Sequence, residues 1–197
     1  FFIATVVATA VITFLIIKKK KKSLKLEGKD SESTALVPVK IKIEKEEEKI
    51  DPIALSKKKN DLGVEAFQNG EFDKAIELYE ESRKLDENFI LTIYNLGNAY
   101  FAIDNFEKAI ECFEKVILLN PKDEYAYYNL AVTYSKKGDS GGASTYYKKA
   151  LEISPGDYTT HYNLAKIFEQ NEPERAIIAY KNAITLKKDY ANAHYNL

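Results

Sequence analysis

Residues 90–123 read ILTIYNLGNAYFAIDNFEKAIECFEKVILLNPKD, and their pattern returns through the rest of the chain. The motif YNLG at 94–97 is followed 34 residues later by YNLA at 128–131, and after another 34 by YNLA at 162–165. A further copy opens with YNL at 195–197, after one residue has been lost from the period near Asn171. A fixed period of this length predicts an array of similar structural units rather than one irregular domain.

Each unit has the pattern of two helices. Apolar residues recur at helical spacing over 93–100 and again over 106–117, and Asp104-Asn105 separates the two runs as a turn. One such hairpin leaves an apolar face open, so it needs neighbours stacked on it. Small residues recur at matching positions of both helices, where they would let the backbones approach closely: Gly63, Gly97, Ala131 and Ala165 in the first helices, and Ala75, Ala109, Ala143 and Ala176 in the second. The sequence therefore predicts an all-α fold.

This combination of period, small residues and aromatic residues resembles the tetratricopeptide repeat (TPR) family. The resemblance covers residues 56–197 and implies a right-handed superhelical solenoid in which the first helix of each pair lines a concave groove. It divides a TPR domain at 51–197 into repeats at about 56–89, 90–123, 124–157 and 158–190, with a fifth beginning at 191.

Charge is distributed unevenly along the chain. The 197 residues carry a net charge of −1, but residues 1–59 contain 14 Lys against 8 acidic residues, and residues 60–197 carry 15 basic against 22 acidic residues. The repeat region is therefore acidic, with a balance of −7. Because cationic side chains supply most of the affinity for phosphate backbones, this region is a poor candidate for binding nucleic acid.

The first 17 residues predict a transmembrane helix. They contain no charged residue, and five lysines follow directly at 18–22. A secretory signal would carry its cations before the apolar run, and a buried core helix would not be apolar all round and then meet five lysines. Because positive flanks stay on the cytoplasmic side, we predict a single-pass membrane protein with its TPR domain in the cytosol and membrane contact through residues 1–22.

Residues 18–50 read as a basic flank and a charged, flexible linker. They are rich in Lys, Glu and Ser, although the alternation of apolar residues over 37–43 could add a strand to a partner. Asp51-Pro52 supplies a cap and a first-turn proline, which predicts the start of the ordered helices. The sequence contains no Met and stops seven residues into a repeat, so we expect it to be part of a longer protein.

No motif for catalysis, for a cofactor or for a metal appears in the sequence. Phosphate-binding glycine loops, paired cysteines and nucleophile elbows are absent, and Cys112 falls on the apolar side of a predicted helix. His161 and His194 occupy the same repeat position, where helix packing explains them better than metal binding does. We therefore predict a protein that is not an enzyme and that needs no cofactor.

A repeated Tyr-Asn pair is the best candidate for a binding site. Asparagine is a mediocre helix former, so its return at one helical position calls for a reason. The resemblance places it in the concave groove, where an amide could bind the backbone of an extended peptide, similar to the asparagine ladder of O-linked N-acetylglucosamine transferases. The alternative is that each Asn bonds the neighbouring repeat and fixes the stacking. The candidate groove residues are Tyr94, Asn95, Asn98, Tyr128, Asn129, Tyr162, Asn163, Lys166, Tyr195 and Asn196.

The carboxylate-clamp members of the family, which grip acidic chaperone tails, are a poor match. Asn98 and Asn129 are present, but the cations that the clamp requires are replaced by Tyr94, Thr159 and Asn163. The sequence favours a membrane-anchored TPR scaffold or adaptor that binds a protein or peptide ligand in its groove. Two alternatives stay open: the substrate-recruiting arm of a larger enzyme, and a scaffold that self-assembles into homo-oligomers.

Overall fold

The computed structural model describes residues 51–197, so the predicted membrane helix at 1–17 and the predicted flank and linker at 18–50 lie outside the described residues. Over 51–197 the chain forms nine α-helices and no strand. None of these nine helices combines the length and the apolar character that crossing a bilayer requires. Their bounds are α1 Pro52–Gln68, α2 Phe72–Leu85, α3 Ile90–Ala102, α4 Phe106–Leu119, α5 Glu124–Lys136, α6 Ser140–Ile153, α7 Tyr158–Phe168, α8 Pro173–Leu186 and α9 Ala191–Asn196.

The helices pack in the order in which they occur along the chain. Four helical hairpins form from α1 and α2, α3 and α4, α5 and α6, and α7 and α8. Each hairpin then packs on the next, because α2 contacts α3, α4 contacts α5, α6 contacts α7, and α8 contacts α9. Every repeat thus buries its open apolar face against its neighbours. The prediction of an all-α solenoid of stacked hairpins is confirmed.

Side-chain caps fix the starts of five helices in the described region. Asp123 Oδ1 accepts from the Ala126 backbone N–H at 3.0 Å, and Asp139 Oδ1 accepts from Gly142 N–H at 2.8 Å. Such a cap satisfies one of the backbone donors that a helix leaves unpaired at its start. The caps of α1, α4, α5, α6 and α7 are Asp51, Asn105, Asp123, Asp139 and Asp157.

The turn inside the hairpin explains the residue that is lost from the period. Gly70, Asp104 and Gly138 occupy equivalent positions in the first three hairpins and adopt positive φ values of 77°, 58° and 83°. No residue of the turn between α7 and α8 has a positive φ, and α8 starts directly at Pro173. The fourth hairpin therefore turns without the left-handed residue that the other three use, and its period is one residue shorter.

Large rings from the second helices lie against small residues of the first. A Cβ atom placed on Gly97 would be 2.8 Å from Phe113 Cε1, and one on Gly63 would be 2.5 Å from Tyr79 Cε1. The first two hairpins thus close around glycines, and in the next two Ala131 and Ala165 are fully buried. This close packing sets how near the two helices of a repeat can lie.

Cys112 lies in the core on α4, as its position in the sequence predicts. Burial raises the pKa of its thiol to about 12. The thiol therefore stays protonated at physiological pH, and the reactive thiolate is not formed.

Candidate peptide-binding surface

The first helices of successive repeats are joined by side-chain hydrogen bonds. Asn129 Nδ2 donates to Tyr94 Oη at 2.7 Å, Asn163 Nδ2 to Tyr128 Oη at 2.9 Å, and Asn196 Nδ2 to Tyr162 Oη at 3.2 Å. Each bond links the Asn of one repeat to the Tyr of the repeat before it, so α3, α5, α7 and α9 are connected in series. We call this set of residues, together with Asn60 and Asn95 described below, the Tyr-Asn ladder.

The ladder explains why asparagine recurs at this helical position. Each amide donates to the preceding repeat, which is the stacking role considered from the sequence. The amide oxygens of Asn129 and Asn163 accept no hydrogen bond within residues 51–197. Since no fully buried side-chain polar atom lacks a partner in this part of the chain, these oxygens reach solvent. Stacking therefore uses one end of each amide and leaves an acceptor at the other.

A ring from the second helix supports each ladder tyrosine. The ring centroid of Tyr94 lies 5.9 Å from that of Phe113, Tyr128 lies 5.8 Å from Tyr147, and Tyr162 lies 5.6 Å from Tyr180. These inclined arrangements are favourable for aromatic pairs. The pairs hold each hydroxyl in place for the next repeat.

Burial raises the pKa values of Tyr94 and Tyr128 above the ordinary value of a phenol, and the Asn hydrogen bonds oppose this only in part. Both hydroxyls stay neutral at physiological pH. These two rungs are consequently neutral hydrogen bonds that do not respond to pH in that range.

Sequence reasoning missed the first rung of the ladder, at Asn60. This residue lies 34 positions before Tyr94, in the weaker first repeat, and that spacing was the available signal. Asn95 Nδ2 donates to Asn60 Oδ1 at 3.0 Å, so an amide replaces the tyrosine hydroxyl as acceptor. Asn60 is only 1% exposed, so this acceptor is buried.

A buried polar network extends this first rung into α2. Thr92 Oγ1 donates to Asn60 Oδ1 at 3.2 Å and lies 2.8 Å from Ser82 Oγ. Ser82 in turn donates to the Ser56 backbone carbonyl at 2.8 Å. The network joins α1, α2 and α3, and all its hydroxyl groups are paired. A fully satisfied network of this kind favours one packing arrangement over others.

The other predicted site residues have different environments. Asn98 Oδ1 is a second acceptor for Asn129 Nδ2 at 3.2 Å, so it belongs to the same rung as Tyr94. Lys166 is exposed on α7, three residues after Asn163, and takes part in none of the ladder hydrogen bonds given above. Tyr195 is 92% exposed on α9. The groove role of these residues stays a prediction.

The two histidines link a helix to the turn that precedes it. His161 Nε2 donates to the Pro155 carbonyl at 3.1 Å, and His194 Nε2 donates to the Lys188 carbonyl at 2.8 Å. Both bonds span six residues, which accounts for the recurrence of histidine at this repeat position.

An apolar cleft lies beside the ladder, between the starts of α3 and α5. It has a volume of about 650 Å³, and its lining includes the side chains of Phe89, Leu91, Tyr94 and Tyr125 and the carboxylates of Asp86 and Asp123. We call it the Leu91 cleft. Tyr94 belongs to both the cleft and the ladder, so the two surfaces are continuous.

Sequence reasoning also missed Leu91 and Tyr125, which are 50% and 65% exposed. Each is the second residue of a first helix, and they lie 34 positions apart. Their repetition was visible in the sequence, but each one alone looked like an ordinary apolar residue of a helix start.

The following repeat carries a smaller and more polar cleft. It has a volume of about 380 Å³ between the starts of α5 and α7, and Thr159 stands where Leu91 and Tyr125 stand in the two repeats before. Burial alone would raise the pKa of Asp157 in this cleft. Hydrogen bonds from the hydroxyls and backbone N–H groups of Thr159 and Thr160 outweigh burial, so the pKa lies below the usual range. This carboxylate is ionised and already satisfied by the protein.

Family models match the region that forms these repeats. The model described as "Tetratricopeptide repeat" matches residues 91–123 and 124–157, and the model described as "TPR repeat" matches residues 63–104. No curated protein matches the chain.

Solved structures share the fold. A crystal structure of MamA protein superposes with a TM-score of 0.68 at 26% identity, over 72% of this chain and 78% of that one. MamA from Desulfovibrio magneticus, residue 41 to the end, gives 0.65 at 21% identity, over 73% and 80% of the two chains. The APC/C hetero-tetramer Cut9-Hcn1 gives 0.62 at 23% identity, over 71% of this chain and 28% of that one. Together with the stacked hairpins and their 34-residue period, these matches show that the chain belongs to the tetratricopeptide-repeat family.

Proposed function

We propose that this chain is a membrane-anchored TPR adaptor that holds a partner polypeptide against the surface formed by its first helices. The observation that carries the proposal is the Tyr-Asn ladder, in which the amide oxygens of Asn129 and Asn163 lie one repeat apart and reach solvent. A fold of stacked TPR hairpins suits a protein-interaction scaffold.

The ladder suits the backbone of an extended peptide. An amide oxygen accepts from a backbone N–H whatever the side chain of that residue is. Because each ladder amide is already fixed by its bond to the preceding tyrosine, little further ordering is needed when a ligand binds. A row of such acceptors therefore provides affinity for a chain, and neighbouring side chains provide the selectivity.

Membrane attachment rests on the sequence at 1–22, where 17 uncharged residues precede five lysines. An anchor at this end would hold the partner near the bilayer, and the basic flank orients the repeats toward the cytoplasm. The adaptor thus combines a local binding surface with a fixed location.

Two paired variants test the role of the ladder in binding. Asn129→Ala with Asn163→Ala breaks two rungs and removes their free oxygens, whereas Tyr94→Phe with Tyr128→Phe removes the tyrosine acceptors of the same rungs and keeps the oxygens. We expect the Asn pair to weaken peptide binding about tenfold, which corresponds to about 1.4 kcal/mol, and the Tyr pair to have a smaller effect. Fluorescence anisotropy measures binding of peptides selected on the full chain from a random display library.

Circular dichroism of both pairs is the control, because each should lower stability to a similar extent and keep the helical signal. An equal loss of peptide binding in the two pairs would assign the ladder to stacking alone and contradict its role as a ligand surface.

The orientation can be tested on the full chain in membrane vesicles whose cytoplasmic face points outward. We expect added protease to digest the repeats without detergent, since the positive flank at 18–22 keeps them on that side. Repeats that are digested only after detergent has opened the vesicles would contradict this orientation.

A further inference from the structure

We infer that the Leu91 cleft selects the partner by taking a large apolar side chain that has Arg or Lys as its neighbour in the bound peptide. This inference rests on the proposed function, because the cleft is continuous with the ladder through Tyr94. It adds a class of ligand to a surface whose ladder would bind any extended backbone.

The apolar half of the inference comes from the cleft lining. Leu91 and Tyr125 are both large, and both are at least half exposed beside Phe89 and Tyr94. Leu91 and Tyr125 thus leave half or more of their area uncovered in the free protein, and Phe89 and Tyr94 are partly exposed. A bulky apolar side chain of a ligand would cover them, and this burial is favourable.

The inferred preference for Arg or Lys in the peptide comes from Asp86 and Asp123, whose carboxylates belong to the same lining. Asp86 Oδ1 accepts from the Asn88 backbone N–H at 3.1 Å, and Asp123 Oδ1 accepts from Ala126 N–H at 3.0 Å, so local backbone bonds hold both groups in place. Neither takes part in an ion pair within residues 51–197. Two fixed anions beside an apolar surface favour a cationic neighbour of the apolar side chain.

The cleft between the starts of α5 and α7 occupies the equivalent place in the next repeat, and its lining differs from that of the Leu91 cleft. Thr159 replaces the large apolar residue, and the hydroxyls and N–H groups of Thr159 and Thr160 all bond to the Asp157 carboxylate. This cleft keeps Tyr125 and Tyr128 but has one large apolar side chain fewer, and its Asp157 carboxylate is already engaged by the protein. Selectivity is therefore assigned to the Leu91 cleft and not to the repeat pattern in general.

A random peptide display library, selected on the full chain, tests the inference. We expect the enriched peptides to share a large apolar residue next to Arg or Lys. Leu91→Ser, and separately the pair Asp86→Asn with Asp123→Asn, should each weaken binding by about tenfold or more. An Asn oxygen can accept the same backbone bonds, at the α5 cap in place of Asp123 and in the α2–α3 loop in place of Asp86, so the paired variant should fold like the parent.

The matched control is Leu118→Ser on α4, which also removes an exposed leucine but lies outside the cleft. It should leave affinity within about twofold. Enriched peptides that lack the apolar and basic pair, or whose affinity is unchanged in the cleft variants, would overturn the inference. If those peptides still lose affinity in the variant Asn129→Ala with Asn163→Ala, the proposed function is supported although the inference about the Leu91 cleft is wrong. Failure to select any peptide overturns both.

Discussion

Replacing Phe113 by Ala is expected to lower the free energy of unfolding by about 3–5 kcal/mol, the range for large aromatic side chains in cores. Phe113 is 1% exposed and lies against Gly97, whose missing Cβ leaves room for this ring. The backbone of α3 cannot collapse into the space, because α2 and α1 also contact α3 and fix its position. The variant therefore loses both the burial of the ring and the contacts around the cavity.

Urea unfolding followed by circular dichroism measures this loss. Leu118→Ala on the same helix is the control, because its side chain is 72% exposed and should change stability by no more than about 0.5 kcal/mol. Phe113→Tyr should be much milder than Phe113→Ala, since tyrosine stands at the equivalent positions 79, 147 and 180. Similar losses for the Ala and Tyr variants would contradict the cavity explanation.

Phe113→Ala should also weaken ligand binding. Tyr94 packs its ring against Phe113 and offers its hydroxyl to Asn129, so loss of Phe113 removes the support of one rung. Stability and ligand affinity are therefore coupled at this position, whereas they separate at Leu91.

Replacing Asn60 by Leu is the second large effect that we expect, at about 2–4 kcal/mol. Leucine has a similar volume but cannot accept a hydrogen bond, so the buried Thr92 hydroxyl and the Asn95 amide both lose this acceptor. An unsatisfied buried polar group costs roughly 1–3 kcal/mol. The cost arises although the substitution makes the interior more apolar.

A double-mutant cycle with Thr92→Val isolates this cause. Removing the hydroxyl as well should recover part of the loss, because in Asn60→Leu only Ser82 Oγ remains within reach of the Thr92 hydroxyl, and Ser82 keeps its bond to the Ser56 carbonyl. Urea unfolding of the two single variants and the double variant measures the coupling. Additive losses would show that the hydrogen bonds of Asn60 do not cause the destabilisation.

Much of the fold followed from the sequence because its determinants are local. The 34-residue period, the glycines and alanines at matched positions and the aspartates ahead of the helices each act within one repeat or between adjacent ones. A single lost residue near Asn171 marked the one hairpin whose turn differs. The sequence also identified the Tyr-Asn pair as the unusual feature.

The partners within the ladder could not be read from the sequence. Whether Asn129 meets a ligand or Tyr94 depends on how far one repeat is rotated against the next, and no local pattern sets that angle. The role of Asn60 also could not be predicted from the sequence, because an amide oxygen stands there in place of the tyrosine hydroxyl as the acceptor of the rung. The Leu91 cleft depends on two residues 34 positions apart, each ordinary on its own.

All ladder hydrogen bonds run from a donor in one repeat to an acceptor in the repeat before it, and this has a consequence for how repeats are added during evolution. Each of the three repeats between 90 and 190 supplies an acceptor to its successor and a donor to its predecessor, so both halves of a junction are encoded in one repeat. Tandem duplication of that repeat creates a new junction that is compatible at once, without matched changes on either side. Evolution can therefore lengthen this array in steps while leaving the existing interfaces untouched.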